Sequence, residues 1–144
     1  PFHVVRNEIT RLQSEGDPAI IIVDIHAEAT SEKKAMGWHL DGVVTAVVGT
    51  HTHVQTADER ILPNGTAYIS DVGMTGPHDS IIGVDVRPAL KRFIDGLPAR
   101  FDPATANPRL NAVVVSADSN SGRAIAIERV DLSAEAVDTL ATTS

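Results

Sequence analysis

Cysteine is absent from the 144 residues. That excludes disulfides, thiolate metal ligands and cysteine nucleophiles together. Long apolar runs are missing too, since nothing approaches the ~20 consecutive apolar residues of a membrane-spanning helix. There is no run of Lys or Arg, and twelve basic residues against nineteen acidic ones leave a net charge of −7. A long nucleic acid would meet repulsion there rather than a basic groove. A small anionic ligand remains compatible with that field if a cation supplies positive charge locally. The chain has no GxGxxG, no glycine–lysine phosphate loop and no Ser/His/Asp signal beyond chance composition. No signal-peptide pattern opens it, so a cytoplasmic setting is the default expectation. Its first residue is Pro1 rather than Met, which leaves processing and a longer parent both open.

What is present fits one soluble domain, with 42% hydrophobic and 22% charged residues. Val5, Ile9 and Leu12 recur at helical spacing over 4–15, and Gly16 follows as a stop. Residues 19–25 (AIIIVDI) form a continuous apolar run, the pattern of a strand buried on both faces. A helix is expected over 30–41, capped by Thr30 or Ser31, with Glu32 in its first turn, weakened by Gly37 and closed by Gly42. Residues 43–48 (VVTAVV) read as a second strand, which makes 19–48 a βαβ unit with a parallel strand pair. Pro63-Asn64-Gly65 is a turn before a strand at 66–72, and Gly73–Pro77 reads as a loop. Asp85 is placed to cap a helix over 87–96 with Pro88 in its first turn. Runs at 110–117 and 123–130 flank the turn Asp118–Gly122 as an antiparallel hairpin, and the tail from Ser133 reads as a weak or frayed helix.

Both strands of the βαβ unit run into histidine: Asp24-Ile25-His26 and Gly49-Thr50-His51-Thr52-His53. Ligands of open α/β sheets bind beyond the carboxyl ends of strands, so the three imidazoles are expected at one edge. If the chain stays extended, His51 and His53 point to the same side with Cα atoms ~6.6 Å apart, enough to share one metal or to serve two. Gly49 permits the close backbone approach where the histidines begin. A lone strand-end histidine is more often a hydrogen-bonded surface residue than a ligand; a His-x-His pair after a buried strand balances the two readings, and three converging histidines tip them toward metal. Asp24 is suited to orient a ligand histidine, or simply to cap a loop. Glu28 and Glu32 are helix-terminus charges before they are bases. His39 falls within the helical segment, His3 lies near the start, and His78 with Asp79 sits in a loop from which it could touch substrate.

The strings VDIHAEATSEKKAMGWHLDG and AVVGTHTHVQTADERILPNGTAYISDVGMTGPHDSIIGVD closely resemble the carboxyl half of the YmdB-like cyclic-nucleotide phosphodiesterases of the calcineurin-like metallophosphoesterase superfamily. The resemblance runs from about residue 19 to 101 and continues weakly through the hairpin. It implies half of a β-sandwich of mixed sheets flanked by helices, with residues 1–144 as the carboxyl-terminal part of one metallophosphoesterase domain. It implies two metal ions, iron or manganese, with His26 and His51 ligating one and His53 the other. It implies hydrolysis of 2′,3′- or 3′,5′-cyclic nucleotides by a metal-activated hydroxide, with a small phosphodiester as partner and homo-oligomerisation left open. The family's amino-terminal half supplies carboxylate and Asn ligands and the histidine proton donor, and residues 1–18 contain no such motif. No catalytic residue is therefore assigned here, and these residues alone are expected to be weak or inactive. The alternatives are a mononuclear three-histidine hydrolase and a non-catalytic metal-binding or assembly domain.

Overall fold

The computed structural model describes residues 1–16 and 20–142. Helix α1 (Phe2–Gly16) is followed by β1 (Ile22–His26), α2 (Thr30–Leu40) and β2 (Ala46–Thr50). Then come β3 (Arg60–Ile61), β4 (Ala67–Ile69), β5 (Gly76–Pro77), α3 (Val86–Asp95), β6 (Pro108–Ala117), β7 (Ala124–Ser133) and α4 (Ala134–Thr142). The first sheet has the order β1-β2-β4-β3, parallel except for β3. The second is antiparallel, β5-β6-β7. The chain is thus a mixed α/β protein with two sheets and four helices among the described residues, and no helix there is long and apolar enough to cross a membrane.

The period-2 alternation of strands builds the layers. Val47 of β2 and Tyr68 of β4 join Ile9 of α1 with Met36 and Leu40 of α2 in the larger core. Their neighbours Ala46 and Ala67 face the other way and meet Ala124, Val115 and Ile127 of the hairpin. Helices therefore cover one face of the first sheet and the second sheet covers part of the other. Alanines at that seam let the two sheets approach closely. Gly37 belongs to the same packing: a Cβ there would lie 2.6 Å from Tyr68 Cδ2, so the glycine that weakens α2 is required by the ring beneath it.

Several expectations are corrected. Among the described residues β1 is an edge strand, and Ile22 is 62% exposed, so within this chain its apolar run is not buried on both faces; Ala19, where the run was expected to start, lies outside the described residues. β2 begins at Ala46 rather than Val43 and extends through Gly49-Thr50, because Leu40 O binds Val43 N in the turn that leaves α2. α2 starts from Ala29 with no side-chain cap, since Thr30 and Ser31 already lie within its first turn. The segment before Pro63 contributes β3, and Gly76–Pro77 is a strand against Arg109 and Pro108 rather than a loop. Asp85 does cap α3, accepting from Arg87 N at 2.9 Å, and Gly96 ends it with φ 70°.

Candidate metal centre

Strand register makes the first contact. In the parallel β1–β2 pair, His26 lies beside Thr50. His26 Nδ1 is 3.1 Å from Thr50 Oγ1, and the Thr50 hydroxyl donates to Asp24 Oδ1 at 2.8 Å. A carboxylate only accepts, so the single hydroxyl proton goes to Asp24 and Thr50 must accept from the ring. His26 therefore carries its proton on Nδ1 and presents Nε2 as a bare lone pair. That lone pair faces His51 Nδ1 at 3.0 Å, with the rings edge to face, centroids 4.7 Å apart. On its far side His51 Nε2 lies 2.9 Å from Glu28 Oε2, and the carboxylate draws the ring proton to that nitrogen.

With both rings neutral, this assignment sets two lone pairs 3.0 Å apart. That is repulsive for two neutral imidazoles and favourable around a cation. Two nitrogens bound to one ion at ~2.0–2.1 Å sit roughly 2.9–3.4 Å apart in octahedral or tetrahedral geometry. The donor set fits a metal.

His53 has a different setting. The strand ends at Thr50, and His51 and His53 take positive φ values of 111° and 65°, so the extended-chain geometry expected of them does not hold. His53 Nδ1 donates to Ile82 O at 2.9 Å, leaving Nε2 unengaged on an exposed ring. Ile82 itself sits at φ 47° with Gly83 at 101°, between bridged Ile81 and Val84. A β-branched residue at positive φ is strained, and here its carbonyl serves a histidine. Among the described residues no three His, Asp or Glu side chains gather around one ion-sized point. The pairing is His26 with His51, and a mononuclear three-histidine centre finds no geometry here.

Beneath the exposed rings the loop is held by buried polar groups. Asp71 Oδ2 accepts from Thr52 N at 3.0 Å, from the Thr52 hydroxyl at 2.8 Å and from Lys33 Nζ at 2.8 Å, while Oδ1 accepts from Gly73 N at 3.0 Å. The Lys33 and Asp71 side chains are 2% and 1% exposed. Burial pushes the Asp71 carboxyl up, but the bonds from Lys33, Gly73 and Thr52 together outweigh it and hold it below the ordinary range. Asp58 is lowered in the same way, against burial, by the Ser70 and Thr56 hydroxyls, Ser70 N and the nearby Lys34 charge. Gln55 Nε2 donates to the carbonyls of Val72, Ala112 and Val130 at 3.2, 3.0 and 3.2 Å, tying the loop to the hairpin. Gly49 is indispensable to the arrangement, since a Cβ would lie 1.8 Å from Ser70 O and 2.9 Å from Lys33 Cδ.

Of the remaining histidines, His3 is exposed on α1, and His39 and His78 are held by the framework. His39 packs edge-on against Phe2 and reaches its carbonyl at 3.2 Å. His78 lies 3.0 Å from both Gly76 O and Asn111 Oδ1, and Asp79 accepts from Asn107, so neither reaches the histidine pair through a direct bond. Sequence reasoning missed Lys33, Asp71, Gln55 and Thr50. Lys33 had a signal: it shares the i, i+3, i+4, i+7 stripe with Met36, Gly37 and Leu40, all buried.

The family follows from comparison with known proteins. The YmdB-like protein family matches residues 1–130. The chain belongs to that family. It is 58% identical over 110 residues to a Bacillus subtilis protein named 2′,3′-cyclic-nucleotide 2′-phosphodiesterase, covering 76% of this chain and 42% of that one. It is 40% identical over 131 residues to a Mycoplasma pneumoniae putative phosphatase/phosphodiesterase, covering 90% of this chain and 45% of that one. Among solved structures, a hypothetical protein from Thermus thermophilus superposes with TM-score 0.82 at 43% identity, covering 92% of this chain and 50% of the other. A phosphatase from Mycoplasma pneumoniae does so with TM-score 0.85 at 40% identity, covering 92% and 46%. The chain spans about half the length of the curated relatives it matches.

Proposed function

We propose that this chain supplies the histidine side of a two-ion phosphodiesterase centre acting on cyclic nucleotides, 2′,3′, 3′,5′ or both. The observation that carries the reading is the treatment of the three rings. Each has one nitrogen facing an oxygen acceptor, Thr50 backed by Asp24 for His26, Glu28 for His51 and the Ile82 carbonyl for His53. Metal-ligating histidines characteristically present that pattern, one nitrogen fixed and the other free. His26 Nε2 and His51 Nδ1 would hold one ion and His53 Nε2 the other, with iron or manganese as the implied metals. Bound there, the ions supply positive charge for the phosphoryl oxygens and lower the pKa of water.

The chain's own residues do the positioning. The rigid β1–β2 register aligns His26 with the loop that carries His51, and the Asp71–Thr52 bonds keep that loop in place. The net charge of −7 favours a small anion admitted by cations over a long polyanion. Activity is assigned to the longer protein of which relatives about twice this length are examples, with residues 1–144 as the carboxyl-terminal part of one domain. The test is metal content and cyclic-nucleotide hydrolysis of the full-length protein with His51→Ala and His53→Ala. Each variant should lose roughly one ion and at least ~10²-fold in turnover, as expected when a group at the reacting centre is removed. Full metal content and turnover in both folded variants would overturn the proposal.

A further inference from the structure

Thr50 stands between two charged or chargeable groups and is neither a proposed ligand nor a core residue. Its register partner is His26, and its hydroxyl is 3.1 Å from His26 Nδ1 and 2.8 Å from Asp24 Oδ1. Asp24 and His26 are two residues apart on one strand, so both side chains leave the same face of β1. The hydroxyl bridges them from the neighbouring strand. A hydroxyl has one proton, and Asp24 has only lone pairs to offer, so the direction of the chain is fixed: ring N–H to Thr50, Thr50 O–H to Asp24. What this chain sets is the identity of the ligating atom, given the ligand assignment proposed above, on which it rests.

We infer that Thr50, oriented by Asp24, is a positioning residue that locks His26 in the Nδ1–H tautomer and thereby delivers Nε2 to the metal. His51 is governed separately by Glu28, whose Oε2 is 2.9 Å from His51 Nε2, so the two rings present opposite nitrogens across the 3.0 Å gap. Removing the hydroxyl frees His26 to adopt the other tautomer, whose Nε2–H points at His51 and blocks the ion. Removing Asp24 instead releases the hydroxyl proton toward Nδ1, which favours the same wrong tautomer. The Thr50 position is half-buried and its backbone lies in the strand; valine has the same shape and the same preference for strand.

The experiment uses ¹⁵N-histidine-labelled full-length protein, stripped of metal with chelator, with tautomers read from long-range ¹H–¹⁵N correlations and Co²⁺ affinity from titration. In the native protein His26 should show a protonated Nδ1 and a bare Nε2. Thr50→Val and Asp24→Ala should mix or invert that signature while leaving His51 unchanged. They should weaken Co²⁺ binding roughly 10–100-fold, the usual cost of losing an outer-shell partner. Thr50→Ser keeps the hydroxyl and should restore both. An unaltered His26 tautomer and unaltered Co²⁺ affinity in folded Thr50→Val and Asp24→Ala would overturn the inference. Native protein that shows the expected tautomers but binds no Co²⁺ would instead sink the metal assignment and leave the tautomer lock standing.

Discussion

The loop from His51 to Asp58 has an upper and a lower side, and they obey different rules. Above, the rings of His51 and His53 are exposed, and the only partner of His51 besides His26 among the described residues is a Glu28 side chain that is 82% exposed. Below, Thr52 hangs from Asp71, which is buried with Lys33. On the proposed reading, the chemistry would be carried by residues that contribute little to the fold and aimed by residues buried within it. A buried ion pair is a weak source of net stability, because desolvation offsets the attraction. Its value here is geometric, since Asp71 has one arrangement in which all four donors are met. Substitutions below should therefore unfold the protein, and substitutions above should leave it folded but unable to bind metal.

The severest break is Gly49→Ala. Its Cβ would lie 1.8 Å from the Ser70 carbonyl oxygen and 2.6 Å from the carbonyl carbon, both backbone atoms that cannot swing aside. We expect a loss of more than ~4 kcal/mol, read as failure to fold or a collapse of the urea midpoint. Lys33→Met comes next. It retains the apolar stem but strands the Asp71 carboxylate, at a cost of about 3–5 kcal/mol, measured by urea unfolding at neutral pH. A Lys33→Met, Asp71→Leu pair should recover much of that stability while freeing Thr52, which separates folding from aiming within one experiment.

Acid gives a smaller, graded effect. The folded carboxyls of Asp71 and Asp58 lie below their ordinary values, so both groups favour the folded state while ionised. Their contribution is complete above the unfolded-state value of about 3.9 and is lost as pH falls through the lower folded values. Stability should therefore decline below about pH 4, and the decline should be shallower in the Lys33→Met, Asp71→Leu variant. The smallest structural effect belongs to His51→Ala, where an exposed ring is removed and unfolding should shift by no more than about 0.5 kcal/mol, checked by the same urea titration.

The sequence displayed the upper side far better than the lower. Runs of Ile and Val marked β1 and β2, and both led into histidine, so a parallel pair alone placed the imidazoles at one sheet edge. The contact of His26 with His51 also needs the positive-φ turn at His51. The hairpin of β6 and β7 was equally visible from its alternation around Asp118–Gly122. Two-residue strands such as β3 and β5 leave no periodic trace. Lys33 was hidden because a lysine in a charged helical stretch normally faces water, and only its place in the buried stripe betrays it. Asp71 lies 38 positions from Lys33 and 19 from Thr52, with no local pattern to connect them. The left-handed turns at His51 and His53 were unreadable for another reason: residues other than glycine seldom take positive φ. An extended continuation was the natural expectation, and the Asp71–Thr52 bonds are the tertiary contacts that accompany the departure from it.

Anomalous diffraction from crystals of the full-length protein grown with Mn²⁺ tests the central claim most directly. The account predicts a manganese peak bonded at roughly 2.0–2.2 Å, the usual metal–imidazole range, to both His26 Nε2 and His51 Nδ1, with Thr50 still bridging His26 and Asp24. A second peak should lie on His53 Nε2. Manganese absent from the His26–His51 pair, with those two nitrogens still in contact with each other, would contradict it.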